Sequence, residues 1–179
     1  MERKTLVLPE NTLTKEESKI CKGKSLAEQY SHEFYGDAFP PTQVSDPFIY
    51  HMCVTSDFEE ATKDGGLYYS PTFKEDKFIH ATAEPKFLLE AGSHFYKHVK
   101  GEWICLKLDV SLLPEKSVVY EAPAPVGAIE AVDYEAEHDL PEQPKFPHIY
   151  AGIPLQSVVE TYKIVRNEEG EFLSIENLC

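Results

Sequence analysis

The apolar residues of this chain come in pieces no longer than a β-strand, and that limits the fold more than any other feature. The clearest piece is Trp103-Ile104-Cys105-Leu106-Lys107-Leu108-Asp109-Val110, joined by Phe48 to Val54, Val118 to Glu121 and Val158 to Val165. Runs of this length, bounded by turn residues, read as strands. They are far short of the roughly 20 apolar residues that a membrane-spanning helix takes. A soluble protein, with no membrane partner, is the expectation.

Two segments carry helical signals. Ser56-x-x-Glu59 has the form of a capping box and Gly65-Gly66 supplies a stop, which predicts a short helix between them. Thr82 can cap a second helix, with Pro85 in its first turn and Phe87, Leu88, Ala91 and Phe95 on one face. Strands outnumber helices and both helices come early. The pattern predicts an α+β fold, a compact mixed or antiparallel split sheet with two short helices, rather than alternating α/β.

With 179 residues the chain has room for one domain and a little more. Residues 1–46 are polar and read as an N-terminal extension, partly disordered or docked through Phe34 and Tyr35. Residues 47–166 read as the domain, and 167–179 as a C-terminal tail or short strand. The acidic, proline-rich stretch from Ala122 to Lys145 is long enough to form a lid.

The formal charge of -14 is spread along the chain, which argues against nucleic acid as a partner and leaves a small-molecule ligand as the expectation. The four cysteines, Cys21, Cys53, Cys105 and Cys179, form no C-x-x-C pair, and Cys53 and Cys105 sit in apolar runs where a free thiol packs as a small core side chain. The start, Met1-Glu2-Arg3-Lys4, leads into no signal-peptide core, so a cytoplasmic location is expected.

Three histidines share a context. His51 follows Tyr50, His80 lies in Ile79-His80-Ala81-Thr82, and His148 in Phe146-Pro147-His148-Ile149-Tyr150; each stands at the tip of an aromatic-aliphatic strand. An imidazole there can orient a ligand through both nitrogens and act as acid or base near neutral pH. It can equally be a core histidine satisfied by a backbone carbonyl. Metal binding is not expected: the spacings are long, with no H-E-x-x-H and no paired ligands on a helix. His94 and His98 have i,i+4 spacing but belong to a lysine-flanked solvated face, and His32 and His138 carry no signal. Glu121 is the best-placed carboxylate, able to hold a hydroxyl or steady a developing cation. No G-x-S-x-G elbow, P-loop or G-x-G-x-x-G turn is present.

Taken together, Ile49-Tyr50-His51, Phe78-Ile79-His80-Ala81-Thr82-Ala83-Glu84, Val119-Tyr120-Glu121 and Phe146-Pro147-His148-Ile149-Tyr150 resemble the family called domain of unknown function 952. The resemblance runs from about Phe48 to Val165. Bacterial members lack the leader and have a shorter loop before the residue matching Phe146. That family is in turn distantly similar to the ADP-ribosyltransferase-like fold, near its two-histidine, RNA 2′-phosphotransferase-type group. The resemblance implies NAD as co-substrate, with His51 on the adenosine ribose, His80 beside the nicotinamide ribose and Tyr69 stacked on nicotinamide. It also implies Thr82 and Tyr150 near the cofactor, Glu121 as the third-motif carboxylate and His148 near a small-molecule or protein acceptor. The reaction so implied is loss of nicotinamide through an oxocarbenium-like state. Two other readings stay open: a non-catalytic nucleotide or small-ligand module, and a protein-interaction domain with structural histidines.

Overall fold

The structure, a computed structural model, describes residues 46–138 and 140–179, so the expected N-terminal extension lies outside it apart from Asp46. In chain order the elements are β1 (Phe48–Val54), α1 (Thr55–Thr62), β2 (Leu67–Tyr68), α2 (Phe73–Asp76), β3 (Ile79–His80), α3 (Lys86–Phe95) and β4 (Trp103–Asp109). There follow β5 (Val118–Glu121), α4 (Tyr134–His138), β6 (Phe146–Ile149), β7 (Ile153–Pro154), β8 (Val158–Arg166) and β9 (Phe172–Ile175). The class is α+β. All strand pairs are antiparallel and fall into a sheet of order β1-β4-β8-β9, a second of order β3-β6-β5, and the pair β2-β7.

Alternation along β4 explains how the larger sheet is covered. Trp103 and Cys105 point to one face, where they meet Met52, Ile164, Phe172 and, from α3, Leu88. Leu106 and Leu108, both fully buried, pack on the other face with Ile49, Ile79, Ile149 and Ile153. The two sheets are joined where the Tyr50 N–H donates to the Thr82 carbonyl (2.7 Å) and the Thr82 N–H returns the bond to Tyr50 (2.9 Å). This bridge brings the middle of β1 to the end of β3, and with it His51 to His80.

The structure corrects the helix count: there are four among the described residues, two of them single turns too short to leave a periodic signal. The capping box does not form, because α1 starts at Thr55 with Val54 as its cap and Ser56 Oγ donates instead to Asp57 (3.3 Å). Gly65 does end the helix, in the left-handed region that the turn requires (φ +75°). Thr82 does not cap α3. Its hydroxyl oxygen accepts from the Glu84 N–H (3.2 Å) and closes a tight turn ahead of Pro85.

The chain after Arg166 builds the edge strand β9, which is tied down through one side chain. The Arg166 guanidinium donates to the carbonyls of Val99 (2.7 Å), Lys97 (3.1 Å), Tyr96 (3.2 Å) and Gly170 (2.9 Å) and lies over the Phe172 ring. No helix among the described residues is long and apolar enough to cross a membrane.

Candidate functional site

His51 on β1, His80 on β3 and His148 on β6 line one cavity of about 70 Å³. Strand register explains the meeting of the last two: His80 and His148 are direct partners across β3 and β6, their rings 5.3 Å apart. His51 joins them through its Nδ1–H, which donates to the His80 carbonyl (2.7 Å). Its other nitrogen, Nε2, is buried and has no hydrogen-bond partner among the described residues. That nitrogen has almost no accessible surface and its ring lies beside Tyr68, so it faces packed atoms and not the open space of the cavity.

Each of the other two imidazoles is backed by a carboxylate. His148 Nδ1–H donates to Glu121 Oε2 (2.9 Å), which also accepts from the Tyr150 hydroxyl (2.7 Å). Phe78 stacks on the His148 ring at 4.0 Å, fixing its plane. His80 Nε2–H donates to Asp76 Oδ2 (3.3 Å), while Asp76 Oδ1 accepts from the Gly127 N–H (2.9 Å). Burial pushes Asp76 up, but hydrogen bonds, with that from His80 first among them, outweigh it and hold the carboxyl below its ordinary range.

The same balance runs the other way in the imidazoles. Burial removes water from His51 and pushes it down to about 4, against which its bond to the His80 carbonyl is a small correction. Burial also lowers His148, and the Glu121 carboxylate offsets part of that. Both rings are neutral at pH 7.

Their protonation equilibria make a prediction. Folded-state pKa values below the unfolded value mean that the unfolded chain takes up protons first as pH falls. The stability from neutral His51 is therefore complete above about pH 6.5 and lost on the way to pH 4, by about 3 kcal/mol, with His148 acting in the same sense. Asp76 acts in a separate window below pH 4, where its protonation removes stability. Urea midpoints at pH 7 and pH 4.5 should differ accordingly, and less so in His51→Gln. A wild-type midpoint that does not move would show that His51 is not buried neutral.

Most of the rest of the cavity is apolar, with hydroxyls from Thr82, Tyr96 and Tyr134. From α3 come Phe87, Leu88, Ala91 and Phe95, the four residues that define its helical face. The acidic loop supplies Pro123, Ala124, Val126, Val132 and Tyr134, so it folds over the cavity. It is held by the Asp76–Gly127 bond, by His94 Nε2–H donating to the Glu130 carbonyl (2.9 Å), and by His138 against Glu90 (2.8 Å). These three tethers, and Asp76 above all, were not apparent from sequence.

Of the remaining sequence candidates, Thr82 lines the cavity. Glu121 and Tyr150 do not; they stand behind His148. Tyr69 is elsewhere, packed edge-on against Phe73 in the core (4.8 Å), so no stacking role in the cavity is open to it. Cys53 and Cys105 are buried, and burial raises both thiols, Cys105 to about 12, which removes them as nucleophiles. Cys21 and His32 lie outside the described residues. Among the described residues one group has metal-ligand spacing, Glu90, Glu137 and His138, on the outer surface of α3 and α4.

The family model described as "Protein of unknown function (DUF952)" matches residues 52–161. The chain belongs to this family. The matched stretch contains the His80 and His148 segments, while His51 lies one residue before it. No curated protein is significantly similar to the chain. Among solved structures, the crystal structure of protein CC0527 from Caulobacter crescentus matches with a TM-score of 0.50 at 16% identity, over 70% of this chain and 93% of that one. A methionine double mutant of CC0527 matches with the same values. The solution NMR structure of CC0527 gives 0.49 at 17% identity, over 74% and 93%. At this identity the likeness extends to the fold alone.

Proposed function

We propose that this domain is an NAD-using enzyme of the ADP-ribosyltransferase-like type, acting on a small-molecule or protein acceptor. The observation that supports it is the convergence of His51, His80 and His148 on one cavity, with carboxylates behind two of them. The residues fit part of such a co-substrate. The apolar part of the wall matches a flat ring, and the lining has no lysine or arginine among the described residues, so the charged pyrophosphate would stay outside. NAD would supply a ribosyl group whose bond to nicotinamide breaks with the electron pair departing on the ring.

The chain's own part follows from its geometry. His148, its Nδ1–H fixed by Glu121, would present Nε2 to take the proton lost by the attacking acceptor. Asp76 and Glu121 would favour positive charge developing near the imidazoles.

A second reading, binding without turnover, is favoured by one observation: Glu121 Oε2 already accepts two hydrogen bonds and the residue does not reach the cavity. Titration calorimetry with NAD and an assay for released nicotinamide separate the two. The enzyme reading expects saturable binding, weakened by about 1–3 kcal/mol in His51→Ala or His80→Ala, together with release of nicotinamide. Binding with no release selects the second reading. No binding at all, and no rise in melting temperature with NAD, would remove both.

A further inference from the structure

We infer that Asp76 is a positioning residue of the cavity: one carboxylate fixes both the His80 imidazole and the acidic loop, so that covering the cavity and orienting His80 are a single event. The role rests on the cavity being a site, as proposed above, and adds how its cover is linked to its imidazole.

The loop has few other holds. From Ala122 to Lys145 no backbone group of the loop is hydrogen-bonded to backbone outside it, among the described residues. Val126 and Ile129 bond to each other across a tight turn, at 3.0 Å in each direction. What holds the loop to the domain is the burial of Val126, Val132 and Tyr134, together with the tethers at Asp76, His94 and His138. Of these tethers, the Asp76–Gly127 bond is the one that continues to an imidazole of the cavity.

Asp76 itself belongs to the body of the domain. Phe73, at the start of α2, is buried against Tyr69 (4.8 Å), and the Asp76 side chain is only 6% exposed. A carboxylate with so little water around it turns to where its donors are. Those donors are unequal. The Gly127 nitrogen lies 2.9 Å from Oδ1, whereas His80 Nε2 lies 3.3 Å from Oδ2. Strong bonds to a carboxylate run to about 2.7–2.9 Å, so the loop's bond is the firmer of the two.

The loop thus sets the rotation of the carboxylate, and the carboxylate sets which nitrogen of His80 carries the proton. A carboxylate can only accept, so Nε2 donates, and Nδ1 of the uncharged ring is left as an acceptor. The turn is shaped for this approach. Gly127 has φ +54°, and a Cβ there would stand 3.2 Å from Glu75 Oε2, so bare backbone is what meets α2 without strain. His80 is then aligned beside its partner His148 only while the cavity is covered, which confines its action to a site shut off from water.

The test uses the full-length chain at pH 7.5, with amide exchange reporting on the loop and the ring nitrogen shifts of labelled histidine on His80. Gly127→Val puts a β-branched side chain at φ +54°, which such residues avoid, and breaks the tether without touching His80. Exchange over residues 122–138 should rise at least about tenfold, the worth of a hydrogen bond to a charged group, while β4 and β8 stay protected. The two ring nitrogens of His80 should move toward the average of the two tautomers. Gly127→Ala, less strained, should give the same pair of changes at smaller size. Asp76→Asn separates the two bonds. The Gly127 N–H can only donate, so the amide oxygen should stay with it. The amide NH₂ then faces His80, whose proton should shift to Nδ1 and reverse the ring pattern.

A loop released in both Gly127 variants with His80 undisturbed would overturn the inference. So would a loop that stays protected in them, or a ring pattern unchanged in Asp76→Asn. No ligand enters these measurements, so the outcome is separable from the NAD reading. Coupling without NAD binding keeps the role of Asp76 and discards the transferase; NAD turnover with His80 indifferent to the loop does the reverse.

Discussion

Glu121→Ala should lose about 2–4 kcal/mol of stability and, with it, the orientation of His148. One oxygen of Glu121 accepts from the His148 ring and the Tyr150 hydroxyl, at 2.9 Å and 2.7 Å, and truncation removes that acceptor from both. Leaving a buried donor unpaired costs about 1–3 kcal/mol, more than the bond itself contributes in an intact protein. Water can reach the Glu121 position, where the side chain is 26% exposed, but hardly His148 at 2%, so the imidazole bears most of the loss. Glu121→Gln keeps an acceptor oxygen and should recover about half. The check is urea unfolding at pH 7 alongside the nitrogen chemical shifts of the His148 ring, which report where its proton sits. A drop below about 0.5 kcal/mol with unchanged ring shifts would mean that Glu121 does not hold His148 in solution.

Arg166→Ala is the second large effect, expected at about 3 kcal/mol. Its guanidinium donates to four backbone carbonyls, three of them in the Tyr96–Val99 segment just beyond α3, and its plane covers Phe172, 4.5 Å away. Truncation strips those carbonyls and uncovers the ring together. Arg166→Lys should rescue little, because one ammonium cannot reach four acceptors spread around a planar fork. Melting curves and amide exchange would test this. Protection should fall first in β9 and the end of α3, and a uniform loss over the whole domain would show that the side chain is no local clasp.

Much of the architecture was legible because the strands announce themselves. β1 and β4 are apolar runs of the right length, β8 is rich in β-branched residues, and the period-two spacing of Phe146 and His148 puts both on one face of β6. Phe87, Leu88, Ala91 and Phe95 were identified as one helical face, and that face lines the cavity. What escaped has physical reasons. α2 is a single turn, Phe73-Lys74-Glu75-Asp76, that reads as a charged bend, and Asp76 reaches His80 only because Lys77 adopts a left-handed conformation (φ 72°) between them. Nothing local sets that carboxylate apart from its acidic neighbours. Val132 and Tyr134 sit in a stretch dominated by Glu and Asp, where two apolar positions carry too little periodicity to reveal that the loop covers a cavity. Tyr69 shows the opposite failure. Its neighbour Tyr68 is buried beside His51, and a one-residue step along the chain sends Tyr69 to different company.

The position of His148 has a consequence for how this domain can vary. β6 is the middle strand of its sheet, with His148 opposite His80 on one side and Val119 on the other, so its alignment is dictated twice over. Because successive strand residues face opposite ways, a slip of one position would present Pro147 or Ile149 where the imidazole belongs. Insertions and deletions can therefore accumulate in the connection before Phe146 without disturbing the imidazole, whereas a single residue gained or lost between Phe146 and Ile149 would erase it.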